Sequence, residues 1–165
     1  MKVGQSNAEL TERGIRLTRV FAAPPGTVFQ AWTDPASLDQ WWGPSGFHNE
    51  THSMAFKPGG AWLYTMHGSD GVDYPNRIIY QEIEPPRRLA FLHDGGEDDS
   101  TEPMQVTVTF EEHDGQTRLT MHTQFASAEM RDQVVQDVNA IEGGQQTLQR
   151  LAEHLTSIRK QDGAQ

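Results

Sequence analysis

The side chains whose type and spacing could do chemistry here are histidines, tyrosines and one strand-borne glutamate. The chain carries seven histidines, three tyrosines, four tryptophans and no cysteine. His93 follows Phe91 at a two-residue interval, so on a strand the two leave by the same face. If that face looks onto a cavity, the imidazole can accept or donate a proton near neutral pH. A hydrogen-bonded histidine of the core or rim is the plain alternative. Glu82 is the one carboxylate within a strongly apolar strand, and alternation places it with Ile78 and Tyr80. Burial there would raise its pKa and suit it to acid or base work; pairing with Arg77 or Arg88 is the alternative. His48 and His52 stand four apart, a chelating spacing on a helix, but four residues of strand span about 13 Å, too far for one metal. His67, His93 and His122 fall on separate strands, and whether they meet depends on register. There is no Gly-x-Ser-x-Gly elbow, phosphate loop or dinucleotide fingerprint. Without cysteine, thiolate metal sites, disulfides and cysteine nucleophiles are excluded. No metal site and no cofactor is expected.

A second set of residues reads as a ligand-binding wall. Over residues 61–67, alternation puts Trp62, Tyr64 and Met66 on one face and Leu63, Thr65 and His67 on the other. The first set is bulky and apolar with one hydroxyl, the mix expected of a cavity with few orienting polar groups. Ile78 and Tyr80, Phe91 and His93, Val106, Val108 and Phe110, and Leu119 and Met121 would line the same concavity; the alternative is an ordinary filled core. Trp41 and Trp42 are adjacent at a helix end, so they are not expected to share one core. One of them would cover the cavity mouth, or else lie on the surface.

These positions must be held by regular elements. Residues 15–21 alternate apolar and polar and read as a half-buried strand. Pro25 suits a helix N1 position, with Val28, Phe29 and Trp32 at helical spacing. Asp34 suits the cap of a second short helix over 35–40, which must stop by Gly43-Pro44. Strands follow over 47–56 (weak, polar and near an edge), 61–67, 73–83, 88–93, 104–112 and 117–125. Asp70-Gly71 and Asp114-Gly115 mark hairpin turns, and Pro75 fits an edge or a bulge. Consecutive hairpins make the sheet antiparallel.

The closing run, 127–159, brings Val134, Val138, Ile141, Leu148, Leu151, Ala152, Leu155 and Ile158 to one helical face. Gly143-Gly144 would cost about 2 kcal/mol relative to alanine inside it. Either the helix breaks near 137–140, or the pair lets the sheet or a ligand come close to the backbone. We expect a short segment from Ser127 to about Gln136 and a main helix over 138–158. Ile141, Leu148, Leu151 and Leu155 would then form the cavity floor, with Gly144 as a ligand contact. Residues 1–14 show no periodicity and are expected to be a flexible N-terminus, 15–159 a single domain, and 160–165 a tail.

At 165 residues, 35% of them hydrophobic, the chain is long enough for one well-filled core. Its formal net charge of −10 disfavours nucleic acid, and no compact basic cluster offsets it. Glu97-Asp98-Asp99 with Glu102 reads as a solvated, mobile loop and lacks the ligand alternation of a calcium site. No apolar run is long enough to span a bilayer, and the polar N-terminus is no secretory signal. A cytoplasmic location is expected.

Several local strings, taken as an ordered set, resemble a known family. They are Leu17-Thr18-Arg19-Val20-Phe21; Ala31-Trp32-Thr33-Asp34-Pro35 followed by Gln40-Trp41-Trp42-Gly43-Pro44; Pro58-Gly59-Gly60-Ala61-Trp62; and Met66-His67-Gly68-Ser69-Asp70-Gly71. Tyr80-Gln81-Glu82-Ile83-Glu84-Pro85-Pro86 and Glu142-Gly143-Gly144-Gln145-Gln146 complete the set. They are similar to bacterial proteins built like the C-terminal domain of the activator of heat-shock protein 90 ATPase, within the START-like, birch-allergen-like helix-grip superfamily. The resemblance covers about residues 15–158. It implies an α+β fold in which about seven antiparallel strands curve around a long C-terminal helix, with two short helices after the first strand. The function it implies is binding of an apolar or aromatic small molecule, lipid- or polyketide-like, between sheet and helix. A cavity enzyme of cyclase or hydrolase type and a chaperone-associated stress-response module are the alternatives. A co-chaperone activator carries a separate chaperone-binding domain where this chain has about 14 residues.

Overall fold

A computed structural model describes residues 2–96 and 102–163, with the side chains of 137, 138 and 159–163 left aside. The element order is β1 (Ser6–Leu10), β2 (Gly14–Phe21), α1 (Pro25–Gln30), α2 (Pro35–Trp41), β3 (His48–Met54), β4 (Ala61–His67), β5 (Asp73–Glu84), β6 (Arg88–Asp94), β7 (Met104–His113), β8 (Gln116–Gln124), α3 (Ala128–Val138) and α4 (Ala140–Gly163). The strands form one sheet in the order β1-β2-β8-β7-β6-β5-β4-β3, every pairing antiparallel. The α4 helix packs against β2 and α2. The result is an α+β helix-grip architecture with the core between the inner sheet face and the helices.

The sheet has eight strands rather than seven. Residues 6–10, expected to lack regular structure, pair with β2 from Ser6↔Arg19 to Leu10↔Ile15. Ser6 to Leu10 shows no apolar alternation because β1 is an edge strand with no core beneath it; four of its five residues are exposed. β3, polar along most of its length, is the other edge. Pro75 sits opposite Thr65 of β4, beyond the point where β6 pairing begins at Arg77↔Asp94, so on the β6 side there is no ladder bond for it to lose.

Local chemistry explains the helices. Pro25 occupies the first turn of α1, and the Asp34 carboxylate accepts from Ala36 N at 3.3 Å to cap α2. Ser127 Oγ accepts from Met130 N at 3.0 Å and starts α3. The closing run breaks at Asn139, which adopts a left-handed conformation (φ 50°) between α3 and α4. Asparagine tolerates that region better than most residues. The glycine pair therefore lies in the first turns of α4, clear of the break. A Cβ at Gly144 would overlap Leu17 Cδ1 of β2, whereas one at Gly143 would meet only Pro44 Cβ at 3.8 Å. So the break and the close approach both occur, the first at Asn139 and the second at Gly144.

Glu97-Asp98-Asp99 lies outside the described residues. Among the described residues no helix is long and apolar enough to cross a membrane.

Candidate functional site

A cavity of about 370 Å³ lies between the sheet and the α3–α4 joint, within the size range of small-molecule sites. Ile15 and Leu17 of β2, Val106 of β7, and Met121 and Thr123 of β8 form its sheet wall. Met66 of β4, His93 of β6 and Met104 of β7 continue that wall, and Val134, Ala140, Gly143, Gly144 and Thr147 supply the helical side. Trp42, Gly43, Pro44 and Phe47 close the end below α2. The lining is almost wholly apolar because alternation sends one face of every strand inward. Three thioethers add a deformable surface that can fit irregular shapes.

Each wall residue is placed by a local device. Gly43 takes φ 107°, a conformation glycine alone adopts readily, and a Cβ there would overlap Met66 Cε. The Arg150 guanidinium of α4 donates to the carbonyls of Gly43 at 2.9 Å, Pro44 at 3.1 Å, Gln40 at 3.3 Å and Trp42 at 3.4 Å. It satisfies the free carbonyls at the end of α2 and ties that helix end to α4. Burial pulls the Arg150 pKa down, partly offset by Glu153.

One polar network stands at the cavity wall. Trp42 Nε1 donates to Tyr64 Oη at 2.8 Å, and Tyr64 Oη lies 3.1 Å from His93 Nε2. His93 Nε2 is also 2.9 Å from Asn76 Oδ1. Asn76 Nδ2 donates to Tyr74 O at 2.9 Å, which turns its amide oxygen toward the imidazole. His93 Nε2 must therefore carry the hydrogen, and in the neutral ring Nδ1 keeps the lone pair. Burial pushes the His93 pKa down to about 4, against a smaller upward pull from Asp94. Asp94 is itself held by Arg77 through two hydrogen bonds of 3.0 and 2.8 Å. Burial also pushes the Tyr64 hydroxyl well above the ordinary phenol value, with the Trp42 hydrogen bond opposing. Both groups are thus uncharged at neutral pH.

Of the residues that read as a ligand-binding wall, Trp42, Met66, His93, Val106, Met121 and Gly144 line this cavity. Tyr64 stands behind it, through His93. Trp62, Ile78, Tyr80 and Phe91 surround a gap of about 10 Å³, no larger than one water, and so form filled core. Trp62 stacks on Tyr64 at 4.0 Å, and Phe110 meets Phe29 and Trp32 edge-on. Trp41, Val108, Phe110, Leu148 and Leu151 are all buried in this packed core. The helical floor is one turn N-terminal to the expected leucines, at Ala140, Gly143, Gly144 and Thr147.

Two expectations are corrected. Trp41 and Trp42 both enter the core, at 0% and 8% exposure, with their rings 5.6 Å apart. The helix ends between them: Trp42 is extended (ψ 130°), so the usual angular offset of helical neighbours does not apply. Trp41 Nε1 donates to Ala31 O at 3.1 Å. Glu82 faces out. A bulge between Tyr80 and Glu82 shifts the register of β5 on β6, reversing the alternation, and Glu82 accepts from Arg88 Nε at 2.9 Å on the surface. It is not an acid or base of the cavity.

The other histidines do not converge on His93. His67 bridges Asp73 at 2.7 Å and Glu50 at 3.0 Å on the exterior, and His122 meets Thr11 Oγ1 at 3.0 Å. Sequence reasoning missed Asn76, Thr123, Thr147, Pro44 and Phe47. None of them carried a signal in the sequence: Asn76 sits among the polar residues of the N-terminal half of β5, beside Arg77.

The profile of the family described as Activator of Hsp90 ATPase homolog 1-like protein matches residues 22–156. No functionally curated protein matches the chain. A crystallised protein from Mycobacterium smegmatis is 29% identical with a TM-score of 0.79, over 92% of this chain and 96% of that one. A protein from Arthrobacter aurescens, solved by NMR, is 25% identical with a TM-score of 0.84, over 92% and 91%. The AHSA1 protein from Silicibacter pomeroyi is 27% identical with a TM-score of 0.69, over 87% and 97%. With more than three quarters of its length inside the matched region and the helix-grip architecture in place, the chain belongs to the Activator of Hsp90 ATPase homolog 1-like family.

Proposed function

We propose that this protein binds an apolar or aromatic small molecule in the cavity between its sheet and the α3–α4 joint. The observation that carries the reading is the roughly 370 Å³ of space walled by aliphatic, thioether and aromatic side chains, beside a tightly packed aromatic core whose gap is only about 10 Å³. A cavity this apolar gains by taking up apolar surface, at about 25 cal/mol for each Å² removed from water. The reading also accounts for Gly43 and Gly144, where a larger residue would push Met66 or Leu17.

The neutral dye N-phenyl-1-naphthylamine tests it, since its emission rises on entering an apolar site. Saturable uptake is expected, together with quenching or shift of the Trp42 contribution to intrinsic fluorescence. Val106→Phe, which places a ring into the cavity from a residue 3% exposed, is expected to weaken uptake by about tenfold while leaving the fold intact. No uptake by the wild type, or undiminished uptake by the filled variant, would overturn the reading.

A further inference from the structure

The cavity wall is chemically one-sided in a way that specifies its occupant. Among the described residues lining it there is no lysine, arginine, aspartate or glutamate, and His93 is the sole ionisable group of that described lining. His93 Nε2 is committed to Asn76 and Tyr64, while Nδ1 makes no hydrogen bond among the described residues. Burial keeps the ring uncharged at neutral pH. Arg150 and Arg77 stand beside residues of this wall or its polar network. The first is spent on four backbone carbonyls and the second on Asp94, so neither supplies a counter-charge. Thr147 donates its hydroxyl to Gly143 O at 2.9 Å. Toward a ligand, Thr147 Oγ1 with its hydrogen spent and His93 Nδ1 are therefore both acceptors, and the imidazole nitrogen is the stronger of the two.

The geometry points to a cavity that selects uncharged apolar molecules bearing one hydrogen-bond donor, a hydroxyl or phenol, over their carboxylate counterparts, with His93 Nδ1 accepting the donor's hydrogen. The inference rests on the cavity being a ligand site. Its physical basis is an asymmetry of costs. A carboxylate would shed water against an apolar wall with no cation among its described residues and would face the lone pair of Nδ1. A hydroxyl loses its water but gains one hydrogen bond. A methyl ether of the same shape loses water and leaves Nδ1 without a donor.

Three matched probes test this by displacement of N-phenyl-1-naphthylamine: 2-naphthol, 2-methoxynaphthalene and 2-naphthoate, near pH 7. Salt of about 0.5 M screens the repulsion that the acidic surface exerts on any anion, so that what remains is the cavity's own preference. The expected order is naphthol tightest, methoxynaphthalene weaker by about fivefold, and naphthoate weaker than naphthol by about 100-fold or more. His93→Leu is expected to bring the naphthol-to-methoxynaphthalene ratio to about one while methoxynaphthalene still binds. If that variant fails to fold, the wild-type ratios decide by themselves. Naphthoate binding as tightly as naphthol, or methoxynaphthalene equalling naphthol on the wild type, overturns the selection and leaves the cavity reading standing. A folded His93→Leu protein that keeps the preference overturns the assignment to His93. Failure of the dye and of both neutral probes to bind overturns the cavity reading and this inference with it.

Discussion

Lowering the pH should destabilise this protein through His93. The ring has a pKa of about 4 in the fold, pushed down by burial, against 6.5 for an ordinary histidine. Between those values the unfolded chain binds a proton that the folded chain refuses, so stability rises with pH across the window. The contribution is fully present above pH 6.5 and is lost as the pH falls toward 4. Integrating the linkage gives a loss of about 2 kcal/mol between pH 7 and 5, and about 3 kcal/mol by pH 4. Other histidines share the window. Burial lowers His122, with Arg16 lowering it further, and burial lowers His154, so both act in the same direction. His67 is raised by its hydrogen bonds to Asp73 and Glu50, so its stabilisation is present at low pH and is lost as pH rises through its raised value. The His93 share is therefore read as a difference between wild type and His93→Gln. Urea midpoints at pH 7 and 5 should fall less in the variant, by the equivalent of about 2 kcal/mol. A His93 imidazole resonance titrating near 6.5, or equal acid sensitivity of the two proteins, would refute the reasoning.

The two glycines of α4 should respond differently to alanine. Gly143→Ala meets only Pro44 at an ordinary distance and should stabilise by about 1 kcal/mol through helix propensity. Gly144→Ala must displace Leu17 into the cavity, so it should gain less stability and take up less dye; the reverse order in thermal melts would contradict this. Arg150→Met leaves the carbonyls at the end of α2 without their donor and should cost about 2 kcal/mol, lowering the Tm by roughly 4–8 °C. Arg150→Lys, whose ammonium cannot span four carbonyls, should recover only part of that loss.

The regular elements were legible because their signals are local. Alternation marked β2, β4 and β7, Asp70-Gly71 and Asp114-Gly115 set the hairpins, and Asp34 and Ser127 mark helix starts by their own side chains. β1 was illegible for the opposite reason: a strand with no core beneath it has no apolar face to repeat. Glu82 was misplaced by a single bulged residue, which no periodicity can reveal yet which turns every later side chain of β5 over. The cavity was legible in kind rather than in membership. Met66, His93 and Met121 follow from parity, but whether an inward side chain borders space or touches a neighbour depends on how far α4 stands from the sheet. That distance is set by Leu17 against Gly144 and by Arg150 against α2. These are contacts between segments far apart in the chain, and their residues look unremarkable along the sequence. Alternation alone points His93 inward with Phe91, but its tautomer is decided by Asn76 and Tyr74 on the neighbouring strand, a matter of register.

The strand order has a consequence for how the site comes into being. From β3 to β8 every strand pairs with its neighbour in sequence, so this meander can zip up as the chain lengthens. The single exception is β2, which pairs with β8 across a separation on the order of a hundred residues, the slow, entropically costly kind of closure. Ile15 and Leu17 arrive only with that closure, and α3 and α4 follow β8 in the chain. The cavity is therefore the last part of the molecule to be enclosed, at the seam where the first-made and last-made segments meet. A ligand that fits it has nothing to bind in the unclosed meander. It would act as a latch on the finished seam, stabilising by RT ln(1 + [L]/Kd) the one closure the chain makes late.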